Sequence, residues 1–429
     1  TGKQGLKRGG PFFTTTTGIY KPVRLLFLPH EHVESIRLIP DLDNDGVYVA
    51  VHSTAPTGTA VGLLVGGEEF TVKTEEKTFL VLDRKTPVWS LANPRLIPVE
   101  AHLKDDVYKT RFGFREFKAG PVGGKVGFLL NGEALVIKGL LDHCYYWQGG
   151  LTPRSSLSLR KELVAIKDMG FNTIKVHENT QAEFFYDLCD EIGLLVIQGM
   201  PSGGKTPYPW QTRLGLLRNG ALRDDTAYRL FGREDLKGRI HFEKQALAIQ
   251  DELVDHPSVI GYTIFNQGWG EFDSARLYKE LKANDSSRII DTCSGWYQTP
   301  FSDLVSLHAC LLKRHKIAMD SKRPTVLSKS FGLPYPVKGH GLGNGRRTVL
   351  KAPDRKAYAK AYWKFMKKEI GPLVLEGLGG YVVWQLADVE DERNGLWTYD
   401  RKVLKLPKDY IRECNGLADM ALAKRLGLL

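Results

Sequence analysis

The chain has 429 residues, 42% of them hydrophobic, enough to bury a large core and build two domains, one of barrel size. No apolar run reaches the ~18 residues of a membrane span; the five scattered cysteines (Cys144, Cys189, Cys293, Cys310, Cys414) lack CxxC or Cys/His spacing, which argues for buried thiols and against a disulfide framework or a zinc site. The net charge of +11, with runs such as Lys313-Arg314-His315-Lys316, favours anionic neighbours, although no aromatic-interleaved RNA motif accompanies it.

In chain order, residues 1–17 are rich in Gly, Lys and Thr without periodicity and read as a tail, or as an arm ordered by a neighbour. Residue 1 is Thr rather than Met, so a processed amino terminus is expected, and with it an organelle, mitochondrial or plastid-like, as the compartment. From 18 to 119 short segments alternate apolar with polar: 47–51, 62–65, 69–72 and 78–82, separated by turn clusters such as Asp43-Asn44-Asp45-Gly46. Strands so short and so regularly spaced predict a β-sandwich of about 100 residues.

Asn131-Gly132 then marks a type I′ hairpin leading into the first of a series of alternating strands and helices over 120–429. Strands are predicted at 136–141, 173–176, 194–198, 259–265, 288–291, 304–307, 325–327 and 380–385, and eight of them fit a closed α/β barrel, the (β/α)8 or TIM type. Helices are predicted at 158–169, with Leu159, Leu163, Ile166 and Met169 at helical spacing, and at 184–192, each stopped by a glycine. The segment 201–238 reads as an excursion over the barrel mouth. Strands five to seven are crowded, so one crossover helix should be short or lost.

The most informative stretch is Asp255 to Asp273, an apolar β-rich run that ends in Asn266-Gln267-Gly268-Trp269-Gly270. It resembles the acid/base strand of glycoside hydrolase family 2, the β-galactosidase, β-glucuronidase and β-mannosidase group, in which the run reads Asn-Glu-Gly-Trp-Gly. Gln267 stands at the glutamate position. Other stretches carry the same resemblance: Trp89-Ser90-Leu91-Ala92-Asn93-Pro94, Arg111-Phe112-Gly113-Phe114-Arg115, Leu130 to Gly139, Ile174-Lys175-Val176-His177, Ser294-Gly295-Trp296, His308, and Asp388 to Arg401. The resemblance implies that the sandwich is immunoglobulin-like. It also implies that the sugar-binding jelly roll which precedes that domain in the family is missing, the chain beginning at its last strand, Gly18 to Val23.

The family's nucleophile follows strand seven, where this chain reads Val326-Leu327-Ser328-Lys329-Ser330-Phe331. Without a gap the nucleophile falls on Lys329, and with one gap on Ser330; neither is a carboxylate. An amide has no proton to give as general acid, and an ammonium repels the developing oxocarbenium charge. Both catalytic positions therefore read as degenerate, with His177, Asn266, Trp269, Trp296, His308 and Trp384 as the remnant of a substrate pocket. The tryptophans are as well explained by packing as by stacking on a sugar, and the two histidines by second-layer hydrogen bonding. The nearby acids Glu178, Glu271, Asp388 and Glu390 have no spacing that resembles an acid/nucleophile pair.

The expected function is that of an inactive relative serving as a structural or interaction subunit of a larger assembly, with no cofactor or metal. Protein partners are expected, together with an acidic or nucleic-acid neighbour and residual oligosaccharide binding. The alternative is a retaining β-glycosidase or a carbohydrate-binding protein.

Overall fold

Period-two alternation forms the first seven strands: β1 (Val33–Asp41), β2 (Gly46–Ser53), β3 (Ala60–Val65), β4 (Glu68–Lys73), β5 (Lys77–Val81), β6 (Ile97–Leu103) and β7 (Asp106–Phe112). The computed structural model describes residues 3–5, 12–83, 85–205, 221–222, 225–266, 270–295, 297–310, 317–342 and 350–429. The seven strands make two antiparallel sheets, in the orders β1-β2-β5 and β4-β3-β6-β7. Their inward residues, among them Val47, Val49, Val61, Leu63, Val99 and Ala101, interleave in one core. Each strand turns one face inward and one outward, which is why the alternation was legible.

A third antiparallel sheet of β8 (Phe117–Val122), β9 (Lys125–Leu130) and β10 (Glu133–Leu135) follows. Asn131 and Gly132, both at positive φ (54° and 81°), make its tight turn. This hairpin plugs one end of the barrel. Phe117 and Phe128 stack with ring centroids 5.5 Å apart, and share a core with Ile137, Leu195, Ile197, Ile260, Ile289 and Val326 at the amino ends of the barrel strands.

The eight predicted barrel strands are all present and parallel: β11 (Ile137–Asp142), β12 (Thr173–Val176), β13 (Leu195–Gly199), β14 (Val259–Asn266), β15 (Ile289–Ser294), β16 (Val305–Cys310), β17 (Thr325–Phe331) and β18 (Gly380–Trp384). Their order, β15-β14-β13-β12-β11-β18-β17-β16, leaves a seam between β15 and β16 without a ladder among the described residues. Backbone bonds from Asp303 N to Ile290 O (2.9 Å) and from Gly295 N to Ser306 O (3.2 Å) span it, so the barrel is nearly closed.

The helices are α1 (Ser156–Asp168), α2 (Glu183–Ile192), α3 (Leu236–Leu253), α4 (Ser274–Asn284), α5 (Arg355–Phe365), α6 (Gly371–Glu376) and α7 (Lys408–Arg425), with a π-helical turn, Met366–Ile370, joining α5 to α6. Ser155 and Ser158 form a reciprocal capping box that starts α1 two residues before its predicted position. Among the described residues no helix follows β15 or β16, two crossovers where the crowding of the strands implied one. Of the excursion over 201–238, residues 206–220 and 223–224 lie outside the described residues, and α3 begins just inside its end.

The two-sheet unit is bonded to the plugged end of the barrel. Arg115, fully buried, donates to Pro257 O (2.9 Å) and Val259 O (2.8 Å), and Trp89 Nε1 donates to Asp190 O (2.9 Å). Arg111 pairs with Asp187 at 2.7 Å. Cys144, Cys189, Cys293 and Cys414 are buried free thiols.

Candidate functional site

The carboxyl ends of the barrel strands gather the side chains named from sequence. His177 follows β12, Asn266 ends β14, His308 lies in β16, Lys329 in β17 and Trp384 ends β18; apart from Trp384, which is partly exposed, all are buried. Gln267, Trp269 and Trp296 lie outside the described residues, as does the side chain of Cys310.

Strand β17 carries an irregularity against both neighbours: its register shifts between Leu327 and Ser330 opposite β18, and opposite β16 at Leu307/His308. Such a bulge re-aims successive side chains. Ser328 Oγ accepts from Ser294 Oγ at 2.9 Å inside the barrel, and the next residue, Lys329, sets its ammonium 4.2 Å from the Trp384 ring centroid. Ser330 instead donates to Val382 O on the adjacent strand (2.8 Å). The ring of Trp384 lies against Gly332, where a Cβ would come within 2.6 Å of the ring and where φ is +75°, so no other residue fits there without displacing the indole.

Below Lys329 runs a buried polar layer. Lys175 Nζ donates to Ser294 Oγ (2.9 Å) and faces Asp291 Oδ2 at 3.7 Å, while Ser306 donates to the same carboxylate at 2.9 Å. Burial pulls the Lys175 ammonium down and pushes the Asp291 carboxyl up, each partly offset by the other. Above that layer Asn266 Nδ2 donates to Glu178 Oε1 at 2.9 Å and lies 3.4 Å from His177 Nε2, and Ser202 donates to Glu178 Oε2 at 3.0 Å. Glu178 thus serves as an acceptor holding Asn266.

Three histidines share this end. His177 stacks edge-on against His143 with centroids 4.7 Å apart, and His308 Nε2 lies 3.4 Å from Ser294 Oγ. Burial holds all three well below the usual imidazole range, and the Lys329 charge adds to that depression in each. They are therefore neutral near pH 7. His143 was not singled out from sequence; its position directly after β11, in Asp142-His143, is the only local signal.

Part of the chain's own amino-terminal segment packs over His143, beside a cleft of about 970 Å³ that Glu178 also lines. Phe13 is 3% exposed and packs edge-on against His143 (5.0 Å) and Tyr145 (5.1 Å). Thr14 N donates to both oxygens of Glu390 (3.1 and 3.2 Å), and Lys3 Nζ pairs with Glu392 at 3.1 Å. Residues 4–5 and 13–14 pair in parallel, and Lys3 stands over the Phe13 ring at 4.8 Å. The arm expected to need a neighbour is pinned by the chain's own barrel, through residues nearly 400 positions away.

Two of the remaining acids have partners in the fold. Asp388 pairs with Lys405 at 2.6 Å, buried, and accepts from Gly395 N, and Glu390 receives the arm. The one cluster of metal-ligating side chains among the described residues, Asp187, Asp190 and His256, sits by the plugged end, not the mouth. Asp190 is already bonded to His256 Nδ1 (2.6 Å) and Ser258 N (2.9 Å), so the cluster reads as a joint.

Residues 124–329 match the family profile described as "Glycosyl hydrolases family 2, TIM barrel domain". A β-galactosidase of Aeromonas hydrophila is 24% identical over 451 aligned residues, covering 94% of this chain and 39% of that protein. A β-glucuronidase of Streptococcus agalactiae is 25% identical over 289, covering 63% of this chain and 45% of that one. The chain spans less than half the length of these curated relatives. Among solved structures, the β-galacturonidase of Eisenbergiella tayi bound to galacturonate shares the fold at TM-score 0.64 and 19% identity, with 91% of this chain and 73% of that one covered.

Proposed function

We propose that this chain, which belongs to glycoside hydrolase family 2, is a catalytically inactive member of it that serves as a structural or interaction subunit of a larger assembly. The observation that carries the reading is Lys329. A retaining glycosidase attacks the anomeric carbon with a carboxylate about 5–5.5 Å from its acid/base partner. At the end of β17 this barrel instead buries an ammonium against Trp384, in the direction from which that carboxylate would act. Gln267, an amide at the acid/base position, removes the other half by its chemistry alone. The arm over His143 adds support, because it stands where a saccharide would enter.

The division of the two-sheet unit into three and four strands supports an immunoglobulin-like reading of that part. The surplus of basic residues supports an acidic partner. A second reading, a carbohydrate-binding or active glycosidase relative, is favoured by Asn266, His177 and Trp384, which keep their places around the mouth.

The test is a panel of aryl β-galactosides, β-glucuronides and β-mannosides. Release of phenol should not exceed the buffer control, and neither Gln267→Glu nor Lys329→Glu alone should raise it, because the two groups act as a unit. Turnover by the unaltered chain that disappears in Glu178→Gln or Glu271→Gln would sink the inactive reading and promote the second one.

A further inference from the structure

Outside the mouth, on the far side of the turn after β11, lies a cleft of about 790 Å³ that the catalytic resemblance does not use. Its wall is a tight turn in which Tyr146 and Gly150 exchange backbone hydrogen bonds (2.7 and 3.1 Å), closed further by Thr152 N to Gly149 O (3.0 Å). The tip presents Trp147, 44% exposed, its ring held edge-on against buried Tyr399 with centroids 5.3 Å apart. A lone exposed indole needs no explanation. This one is fixed on a rigid turn, braced by a second aromatic, and faces into a concavity.

The charges around it have been sorted by pairing. Of the lining carboxylates, Glu162 pairs with Arg401 (2.8 Å) and Asp400 is hydrogen-bonded to His340 Nδ1 (2.9 Å). Arg154 and Lys402 line the same cleft, are exposed, and have no carboxylate partner among the described residues. The hydroxyl of Tyr146, buried at the cleft, has no hydrogen-bond partner among the described residues. The cleft thus offers an aromatic platform and two cations without a carboxylate partner among the described residues.

We infer that this cleft binds an acidic saccharide. The apolar C–H face of a pyranose ring packs on the Trp147 indole, while Arg154 and Lys402 take the carboxylate or sulfate of that ring or its neighbour. A neutral glycan leaves both cations unused, and an acidic peptide of aliphatic side chains lacks the ring face that the platform fits. The volume lies within the roughly 300–1,000 Å³ of small-ligand sites. None of Lys329, His177 or Asn266 lines the cleft, so the inference stands independently of whether the barrel turns over substrate.

The experiment is titration of the full chain with tetragalacturonate, cellotetraose and hexaglutamate, read by calorimetry and tryptophan fluorescence. Saturable binding of tetragalacturonate is expected, at least tenfold tighter than of the other two. Trp147→Ala should weaken it at least tenfold, and Trp147→Phe, which keeps a ring, should stay within about threefold of the unaltered chain. Arg154→Gln with Lys402→Gln should weaken it and flatten its dependence on salt. An unchanged affinity in Trp147→Ala, hexaglutamate binding as well as tetragalacturonate, or no saturable binding at all would each overturn the inference. Thermal melting of each variant separates lost binding from lost folding.

Discussion

The two ends of this barrel are built on opposite principles. The plugged end is apolar: Phe117 and Phe128 from the hairpin stack beneath Ile137, Leu195, Ile197, Ile260, Ile289 and Val326. The mouth buries Lys175, Asp291, Glu178 and Lys329 within a few layers of those residues. Burying charge costs several kcal/mol per ion before pairing recovers part of it, so nothing in stability alone selects such a mouth. Barrels of this architecture keep folding at the amino ends of their strands and chemistry at the carboxyl ends. Here the carboxyl ends gather buried polar and charged side chains, with Lys329 set against Trp384 among them. Nor does the arm create an ordinary core, since it contributes one phenylalanine and a set of polar contacts.

The contrast can be broken most strongly at the plugged end. Phe128 is fully buried, and Phe128→Ala should cost about 3–5 kcal/mol in denaturant unfolding, because the hairpin and five strands cannot all close on the gap. A loss below about 1 kcal/mol would mean that this end is not the stability centre.

Proton linkage sharpens the contrast next, since the ends should respond to pH with opposite sign. At the mouth, His143, His177 and His308 have folded-state values well below 6.5. The unfolded chain therefore takes up protons first, so their contribution is intact above about pH 6.5 and is lost as the pH falls below it, with a slope of up to about 1.4 kcal/mol per pH unit for each group. At the joint by the plugged end, burial pulls His256 down, but Asp190 at 2.6 Å outweighs it and its value is raised. Its contribution is full below about pH 6.5 and is lost as pH rises through the raised value. Urea unfolding from pH 5 to 8 should show His177→Asn flattening the acid limb and His256→Gln the neutral-to-alkaline one. If His177→Asn steepens the acid loss, the assignment of a neutral histidine is wrong.

The smallest effect belongs to the arm. Phe13→Ala would cost as much as Phe128→Ala if the segment were an integral part of the core. With a single buried phenylalanine in a small satellite core, the arm should limit the loss in global stability to about 1–2 kcal/mol. Hydrogen exchange should show faster exchange at Thr14 and around His143, with the plugged end unchanged. An equal loss at both ends would erase the distinction.

Much of the scaffold was legible because its signals are local. Apolar β-rich runs bounded by Gly and Pro located all eight barrel strands to within a few residues, and the spacing of Leu159, Leu163 and Ile166 located α1. Resemblance in short motifs pointed to His177, Asn266, His308, Lys329 and Trp384, which the fold does bring to one end of the barrel. The choice between Lys329 and Ser330 was open in sequence, since adjacent residues of a regular strand face opposite sides. A bulge, visible only in the pairing of β17 with its neighbours, turns Lys329 toward Trp384 and leaves Ser330 bonded to Val382. What the sequence by itself determined, then, was which residues alternate and where strands begin, because burial on one face imposes a period. Only tertiary structure decided that Lys3 meets Glu392, that Phe13 covers His143 and that the hairpin closes the other end, because contacts between residues hundreds of positions apart leave no periodic trace in either segment.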